Sequence, residues 1–188
     1  MGFDFLKTFD ITESKKEKLE QEPLSFGKRD LEPVMSKATI DYHYTGLAAK
    51  YSERYNKGEG DPKFNYGGAI LHNLFFANLQ PPNSRNSPGG ASEELINKKY
   101  KDFDTFKTAF EKEFMAAQGS NWIYMDYNGS LHTIHNHEYK KDMKIALLID
   151  AWEHAWALDY QQDKADYLKN IWRIVNWDVV NERLNKER

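Results

Sequence analysis

The sequence predicts an α+β protein: an N-terminal antiparallel helical hairpin, then a C-terminal lobe in which helices surround a small three-stranded antiparallel sheet. Three observations predict this class. Apolar residues recur at helical spacing in two segments between residues 37 and 79. A stretch rich in Pro, Ser and Gly follows at 80–90. Beyond it, short alternating or apolar segments between residues 122 and 149 replace the helical period.

The composition indicates a globular protein with an aromatic interior. The 188 residues suffice for one large domain or two small ones. Apolar residues make up 40% and charged residues 29%, which excludes a disordered chain. Five Trp, eleven Tyr and eleven Phe suit a densely packed core or a hydrophobic metal pocket. The net charge of -3 argues against a nucleic-acid partner, because such proteins are normally basic.

Several classes of site and location are excluded by what the sequence lacks. Without cysteine there is no disulfide, no thiolate metal site and no cysteine nucleophile. No apolar run approaches the length of a membrane span, so no membrane association is expected. The first 22 residues contain no apolar signal core. We therefore expect a soluble protein of the cytoplasm or another intracellular compartment.

Residues 1–23 are predicted to form an N-terminal extension. The extension combines an apolar patch with a charged run over Glu13–Glu22. Its apolar residues are Phe3, Phe5, Leu6 and Phe9. One interpretation is a surface extension, and the other is a docking arm whose Phe side chains anchor a protein partner.

Residues 24–82 are predicted to form the helical hairpin domain. Ser36 is a good N-cap for a helix over about Lys37–Tyr55. Two glycines and a proline within Gly58–Pro62 then break the helix. A second helix is predicted over about Tyr66–Leu79, and two antiparallel helices form a hairpin.

Residues 83–188 are predicted to form an α/β metal-binding domain. Asp104 is predicted to cap its second helix, and Asn128-Gly129 is a strong hairpin turn between its first two strands. The predicted elements are helices Ala91–Asn97 and Asp104–Gln118, strands Trp122–Tyr127, Leu131–His135 and Ile145–Ile149, and helices Tyr160–Ile171 and Trp177–Glu187.

The histidines are the first candidates for metal ligands. Three of the six, His132, His135 and His137, lie on or just after the second predicted strand. A histidine on the apolar face of a helix is usually a hydrogen-bonded core residue. The two facing helices of the hairpin could nevertheless bring His43 and His72 together, as helical bundles do when they build metal sites.

Asp150 and His154 form the most informative pair. They lie four residues apart and are flanked by tryptophans, and a carboxylate with an imidazole suits a redox-active metal such as iron or manganese. Together with the block Trp172–Asp178, this segment closely resembles the C-terminal motif of the iron/manganese superoxide dismutase family. The resemblance extends over about Glu22–Leu184.

The resemblance implies a ligand set, a cofactor and a reaction. The implied ligands are His43, His72, Asp150 and His154, which would hold one Fe or Mn ion per chain together with one solvent molecule. The implied substrate is superoxide, which such a site disproportionates into dioxygen and hydrogen peroxide.

The resemblance also assigns the residues around the metal. Tyr51 and His137 match catalytic positions: Tyr51 a gateway tyrosine, and His137 the residue that hydrogen-bonds the metal-bound solvent, although this match requires a shortened hairpin. Trp122 and Trp152 match aromatic residues that wall the pocket. Glu153 matches a glutamate that bonds a ligand histidine of the partner subunit, which implies a homodimer through the metal-site face.

The sequence departs from the family at the implied gate and interface. Leu47 stands where the family has a histidine, and Ala157 stands where it has a tyrosine that bonds this histidine across the dimer. Losing both partners avoids leaving one of them buried and unpaired, which indicates an interface that was re-packed. The family's lysine and second histidine near the gate are Gly46 and Ala48 here. Other departures are Phe76 for tryptophan, Lys164 for arginine, and a hairpin shortened between residues 51 and 66.

Two hypotheses for function remain. The four ligands, Tyr51 and Glu153 favour a divergent but active superoxide dismutase. The missing gate, the shortened hairpin and the N-terminal extension favour a structural or assembly protein of the same fold with a retained or vestigial metal. A different metal oxidase or hydrolase is a minor third possibility. Gly68 is common in manganese-type members and a histidine at position 137 in iron-using or metal-promiscuous ones, so the metal stays open.

Overall fold

The α+β class is confirmed by a computed structural model that describes residues 18–186. The apolar patch of the N-terminal extension lies outside the described residues, so both interpretations of it stay predictions. Within the described part, helices precede and follow a single three-stranded antiparallel sheet. None of the helices in this part of the chain is long and apolar enough to cross a membrane.

The first hairpin helix is continuous but has three parts. It runs through α1 (Lys37–Ile40), a π-helical stretch (Asp41–Ala48) and α2 (Ala49–Lys57). The hydroxyl of Ser36 accepts a hydrogen bond from Thr39 N, as its predicted capping role requires. The sequence predicted a uniform α-helix, so the π-helical stretch, whose hydrogen bonds span five residues, is a new finding.

The turn of the hairpin follows the predicted break. Gly58 adopts a left-handed conformation (φ 71°) and ends α2. Asp61 then caps α3 (Pro62–Ala77) by accepting a hydrogen bond from Phe64 N, and Pro62 occupies the first helical position. The second hairpin helix therefore begins four residues before its predicted start at Tyr66.

The second lobe opens with two helices, α4 (Gly90–Tyr100) and α5 (Phe103–Ala116). The predicted cap at Asp104 is wrong. Asp102 is the cap, because its carboxylate accepts a hydrogen bond from Thr105 N while Asp104 already lies in the first turn.

The sheet contains β1 (Asn121–Asp126), β2 (Leu131–His135) and β3 (Ile145–Asp150) in the order β2-β1-β3, with both pairs antiparallel. The predicted turn between β1 and β2 has Gly129 at φ 78°. All residues of β3 are buried, since this strand lies under α3 on one side of the core. The carboxyl end of β3 therefore delivers Asp150 to the hairpin.

The chain after β3 differs from the prediction in one place. A 3₁₀ turn (Glu153–Ala155) leads into α6 (Ala157–Tyr160), α7 (Lys164–Ile171) and α8 (Trp177–Asn185). The predicted single helix over Tyr160–Ile171 is wrong, because Gln161 takes a positive φ of 53° and the carboxylate of Asp163 caps a new helix.

One hydrophobic core connects the hairpin with the second lobe. Leu31 and Leu71 of the first part belong to the same buried cluster as Ile149 and Ile174 of the second. This shared core does not separate the chain into two domains at residue 82. The predicted domain boundaries at residues 23 and 82 therefore stay predictions.

Candidate metal centre

Four side chains from four different elements meet at the junction of the hairpin and the sheet. His43 comes from the π-helical stretch, His72 from α3, Asp150 from the end of β3 and His154 from the 3₁₀ turn. One ligand atom from each of them lies within 4.8 Å of the others. The first three side chains are buried, and that of His154 is 11% exposed. The structure thus brings together the four residues that the resemblance implied as ligands.

The carboxylate of Asp150 lies at the centre of this cluster. Its Oδ2 is 3.1 Å from His43 Nε2 and 3.2 Å from His154 Nε2. Its Oδ1 accepts a hydrogen bond of 2.8 Å from the backbone N–H of Trp152, which fixes the plane of the carboxylate. The orientation of Asp150 is therefore set by the chain turn that also presents His154.

The free nitrogen atoms of the cluster fit a metal ion. His72 Nδ1 lies 2.6 Å from the carbonyl oxygen of Gly68, so Nδ1 carries the proton and Nε2 keeps its lone pair. Within residues 18–186, His72 Nε2 has no hydrogen-bond partner, and the one polar contact of His43 Nε2 is the Asp150 carboxylate at 3.1 Å, without the geometry of a hydrogen bond. Leaving such buried atoms unpaired is costly unless a cation accepts their lone pairs. Three imidazoles and one carboxylate are donors that suit Fe or Mn.

Burial and charge set the protonation states that metal binding needs. Burial lowers the pKa of His43, and it lowers the pKa of His72 well below the ordinary value, so both rings are neutral at pH 7. Burial raises the pKa of Asp150, but the neighbouring His154 and His43 lower it by more, and the net pKa is far below the usual range. Neutral imidazoles and an ionised carboxylate are the forms that bind metals.

These shifts predict that the metal-free protein loses stability below about pH 6.5. The pKa of these histidines is lower in the folded protein than in the unfolded chain. When the pH falls below the unfolded pKa, the unfolded chain takes up protons that the folded protein does not, so the free energy of unfolding decreases. Each such histidine lowers the free energy of unfolding by up to about 1.4 kcal/mol per pH unit. Asp150 adds a loss only below about pH 3.8. Urea unfolding of metal-free protein at pH 7.5, 6.5, 5.5 and 4.5 measures the slope.

A matched variant identifies the source of this pH dependence. His72→Gln replaces one of the neutral rings with a side chain that does not titrate, so its slope between pH 6.5 and 4.5 should be shallower than that of the wild type. Equal slopes would show that His72 does not stay neutral in the folded state.

His137 lies beside the cluster, and its own hydrogen bond sets its tautomer. Trp122 Nε1 donates to His137 Nδ1 at 3.3 Å, so the proton of the neutral ring is on Nε2. Nε2 is buried and has no partner within the described residues. Burial lowers the pKa of His137 to about 4. The ring stacks on Trp152 at 4.6 Å and lies 5.6 Å from the ring of His72. His137 therefore presents a buried N–H donor near the cluster.

A glycine pair in α3 permits the approach of His137, and the sequence analysis missed this role. A Cβ on Gly67 would lie 2.0 Å from the carbonyl oxygen of His137. A Cβ on Gly68 would lie 2.8 Å from Cγ of Tyr51. The available signal was the occurrence of two adjacent glycines inside a helix, each of which costs about 1 kcal/mol relative to alanine.

Aromatic rings enclose the cluster. Tyr51 and Trp122 contact His72 at 5.2 Å and 4.9 Å between ring centroids, and Trp152 contacts His154 at 5.3 Å. Burial raises the pKa of Tyr51 to about 12, so its phenol is protonated at neutral pH. Three further rings line the site: Phe75 and Phe76 against His43, and Phe64 against His137. Sequence reasoning had identified Phe76 as the replacement of a family tryptophan but gave Phe75 and Phe64 no place at the site.

Glu153 is exposed and does not join the cluster. It lines a surface cleft of about 820 Å³ together with His154 and Ala157. Lys164 also lines this cleft, but its ammonium group donates to the carbonyl oxygens of Phe114 and Ala117 at the end of α5. The structure therefore gives Lys164 a capping role that sequence reasoning did not identify.

Known proteins are similar to this chain over most of its length. Residues 88–183 match the model of the family described as iron/manganese superoxide dismutases, C-terminal domain. An iron superoxide dismutase of Pyrobaculum aerophilum is 31% identical, covering 87% of this chain and 90% of that protein. An iron superoxide dismutase of Bacteroides fragilis is 33% identical, covering 88% of this chain and 98% of that protein. A manganese/iron superoxide dismutase of Aeropyrum pernix is 29% identical, covering 87% of this chain and 89% of that protein.

The chain therefore belongs to the iron/manganese superoxide dismutase family. Asp150 and His154 lie inside the segment that matches the family model, whereas His43 and His72 precede it. The names of the relatives include iron alone and manganese or iron, so they do not select a metal for this chain.

Proposed function

We propose that this protein is a superoxide dismutase with one Fe or Mn ion per chain, held by His43, His72, Asp150 and His154. The observation that carries the proposal is the convergence of three imidazoles and one carboxylate, mostly buried, in a member of this family. When bound, the metal ion supplies one-electron redox chemistry: one superoxide leaves as dioxygen, and a second takes up the electron and two protons and leaves as hydrogen peroxide.

The residues of the chain prepare this chemistry in three ways. Asp150 contributes the single negative charge of the cluster, so a bound divalent or trivalent ion keeps a net positive charge that attracts an anionic substrate. Trp122 holds His137 in the tautomer with its proton on Nε2, where it can hydrogen-bond a bound solvent molecule. Tyr51 keeps its phenolic proton at neutral pH and can donate a hydrogen bond to an oxygen anion.

The aromatic rings make the proposed site dry and stiff. Phe75 and Phe76 contact His43, and Trp122 contacts His72. Large rings fix the imidazole planes by packing and exclude water from the donors, which strengthens the electrostatic interactions of the site. We assign Trp122 and Trp152 to this wall.

The experiment that tests the proposed function counts Fe and Mn per chain and then measures superoxide decay per bound metal by pulse radiolysis. We expect about one metal per chain and a rate constant near the diffusion limit, about 10⁸–10⁹ M⁻¹s⁻¹. His132→Gln is the control, because His132 pairs with Asp126 at the outer strand of the sheet and should leave the rate unchanged. A metal-loaded protein that does not accelerate the decay would refute the activity.

That negative result would favour the second candidate, a structural or assembly protein of the dismutase fold. The observation in its favour is the pair Leu47 and Ala157, which replaces polar residues that the family resemblance implied for the gate and the interface. Ala157 lines the cleft beside His154 and leaves it open.

The surface beside Glu153 supports a homodimer through the metal-site face. Tyr42 and Leu158 line the same cleft and are 50% and 57% exposed. Large apolar side chains grouped on one surface mark protein interfaces. A second copy of the chain is the partner that we propose for this surface.

Glu153→Ala is expected to weaken this dimer, because a ligand histidine of the partner subunit would lose the carboxylate that we propose to bond it. A charge-assisted hydrogen bond contributes about 1.5–3 kcal/mol, and a two-fold dimer contains two copies of it, so the loss of about 3–6 kcal/mol should raise the dissociation constant on the order of 10²–10⁴-fold. Sedimentation velocity over a range of concentrations measures it. Glu93→Ala, an exposed glutamate in the first turn of α4, is the matched control. A dimer as tight as that of the control would remove Glu153 from the interface.

A further inference from the structure

The segment Lys18–Pro23, which we call the N-terminal strap, is attached to both hairpin helices by side-chain hydrogen bonds. The strap has no regular secondary structure and lies on the outside of the hairpin. It makes six hydrogen bonds with three residues of the helices: Tyr44, Asn56 and Asn73. Two of its three attachment points are chain neighbours of proposed metal ligands.

The attachment to α3 is made by Asn73, the residue that follows His72. Asn73 Nδ2 donates to the carbonyl oxygen of Glu20 at 2.9 Å, and Asn73 Oδ1 accepts from Glu22 N at 3.1 Å. One amide side chain thus pairs with the strap backbone through two bonds. His72 points inward from α3 at the adjacent position, where it contacts His43 at 5.0 Å between ring centroids.

The attachment to the first hairpin helix is made by Tyr44, the residue that follows His43. Gln21 Nε2 donates to the carbonyl oxygen of Tyr44 at 2.8 Å, and the phenol of Tyr44 donates to the carbonyl oxygen of Glu22 at 2.7 Å. The ring of Tyr44 packs on Phe76 at 5.1 Å, and Phe76 packs on His43 at 4.9 Å. A continuous chain of contacts therefore joins the strap to the imidazole of His43.

The third attachment point has the same chemistry as Asn73 but lies far from the cluster. Asn56 Oδ1 accepts from Leu19 N at 2.9 Å, and Asn56 Nδ2 donates to the carbonyl oxygen of Leu19 at 2.7 Å. Asn56 lies near the end of α2, more than three helical turns beyond His43. The two asparagines thus make equivalent bonds to the same strap, and only one of them is beside a proposed ligand.

We propose that the N-terminal strap positions the metal centre, with Asn73 and Tyr44 as its positioning residues. This inference rests on the proposed function, because it concerns the same four ligands. His43 and His72 come from different helices, so the spacing between these helices sets the distance between the two imidazoles. The strap joins the helices at the residue that follows each ligand. Groups that orient ligands from behind tune metal affinity in this way.

The test compares Asn73→Ala with Asn56→Ala, each of which removes two amide-to-backbone hydrogen bonds from the strap. Metal release is measured from the Fe-loaded full-length protein with a chelator in excess, and the electron paramagnetic resonance spectrum of the Fe(III) form reports the symmetry of the site. We expect Asn73→Ala to release iron about ten times faster than the wild type and to change the spectrum. Asn56→Ala should match the wild type in both.

Tyr44→Phe is the second variant, in case Asn73→Ala does not fold. It removes only the hydrogen bond to Glu22 and keeps the ring against Phe76, so the expected changes have the same direction. Equal release rates and spectra for the Asn73 or Tyr44 variant and the Asn56 variant would overturn the inference alone, because the strap would then be merely structural. A wild-type protein that takes up neither Fe nor Mn would overturn the proposed function and this inference together.

Discussion

Replacing Asp150 with alanine is expected to abolish the binding of Fe and Mn. Within the described residues, Asp150 is the one anionic donor of the cluster, and its Oδ2 faces the Nε2 atoms of His43 and His154 at 3.1 Å and 3.2 Å. Without it, three imidazoles would face an uncompensated cation in a buried site. Removing one partner of a buried charge pair costs about 3–5 kcal/mol, on the order of 10²–10⁴ in affinity.

Elemental analysis of the purified variant and equilibrium dialysis against Fe and Mn measure this loss. Asp126→Ala is the matched control: its carboxylate also pairs with a histidine, His132, at 2.9 Å, but at the far side of β1. The control should retain about one metal per chain. Asp150→Asn preserves the shape of the side chain and removes its charge, so it should also lose the metal. If Asp150→Ala retained a full complement of metal, Asp150 would not be a ligand.

The local parts of this site could be predicted from sequence more readily than its assembly. Asp150 and His154 lie four residues apart at the end of one strand, and short-range spacing alone indicated that they act together. His43 and His72 lie on different helices. The predicted hairpin allowed their contact, but periodicity does not specify how the two helices pack, and the family resemblance was needed to assign both residues to one metal site.

The errors in the predicted elements have local causes. The sequence offers two aspartates, Asp102 and Asp104, as caps for α5, and the choice depends on which carboxylate meets the free N–H of Thr105. The break at Gln161 requires a positive φ that this residue type rarely adopts, so the available signal was Asp163, a favourable N-cap residue two positions later. The π-helical stretch Asp41–Ala48 contains no Pro that would mark an irregular helix.

The packing of His137 against α3 is a long-range contact, but the sequence contained a signal for it. Gly67 and Gly68 sit inside a buried helix, where alanine would be favoured by about 1 kcal/mol at each position. A glycine is kept inside a helix despite this cost in helix propensity where another part of the chain approaches the helix closely. At Gly67 the approaching group is the backbone of His137, on the loop that follows β2, and at Gly68 it is the ring of Tyr51. The same contact makes Gly67 a position at which one methyl group should have a large effect.

Gly67→Ala is expected to destabilise the protein and to displace His137. The new Cβ would lie 2.0 Å from the carbonyl oxygen of His137, so the backbone of the loop must move away from α3. Overpacking of this kind costs about 1–3 kcal/mol, more than the gain of about 1 kcal/mol in helix propensity. The four ligands are untouched, so the metal should remain while superoxide decay per metal slows, as it should in His137→Ala.

Gly46→Ala is the matched control, because it adds the same methyl group to a glycine of the other hairpin helix. There the nearest atom is the carbonyl oxygen of Asp41 at 3.6 Å, an ordinary contact. This control should unfold in urea at the wild-type midpoint or above it and keep the wild-type rate. A Gly67→Ala protein as stable and as fast as the Gly46→Ala protein would show that the loop tolerates displacement and that the position of His137 does not limit turnover.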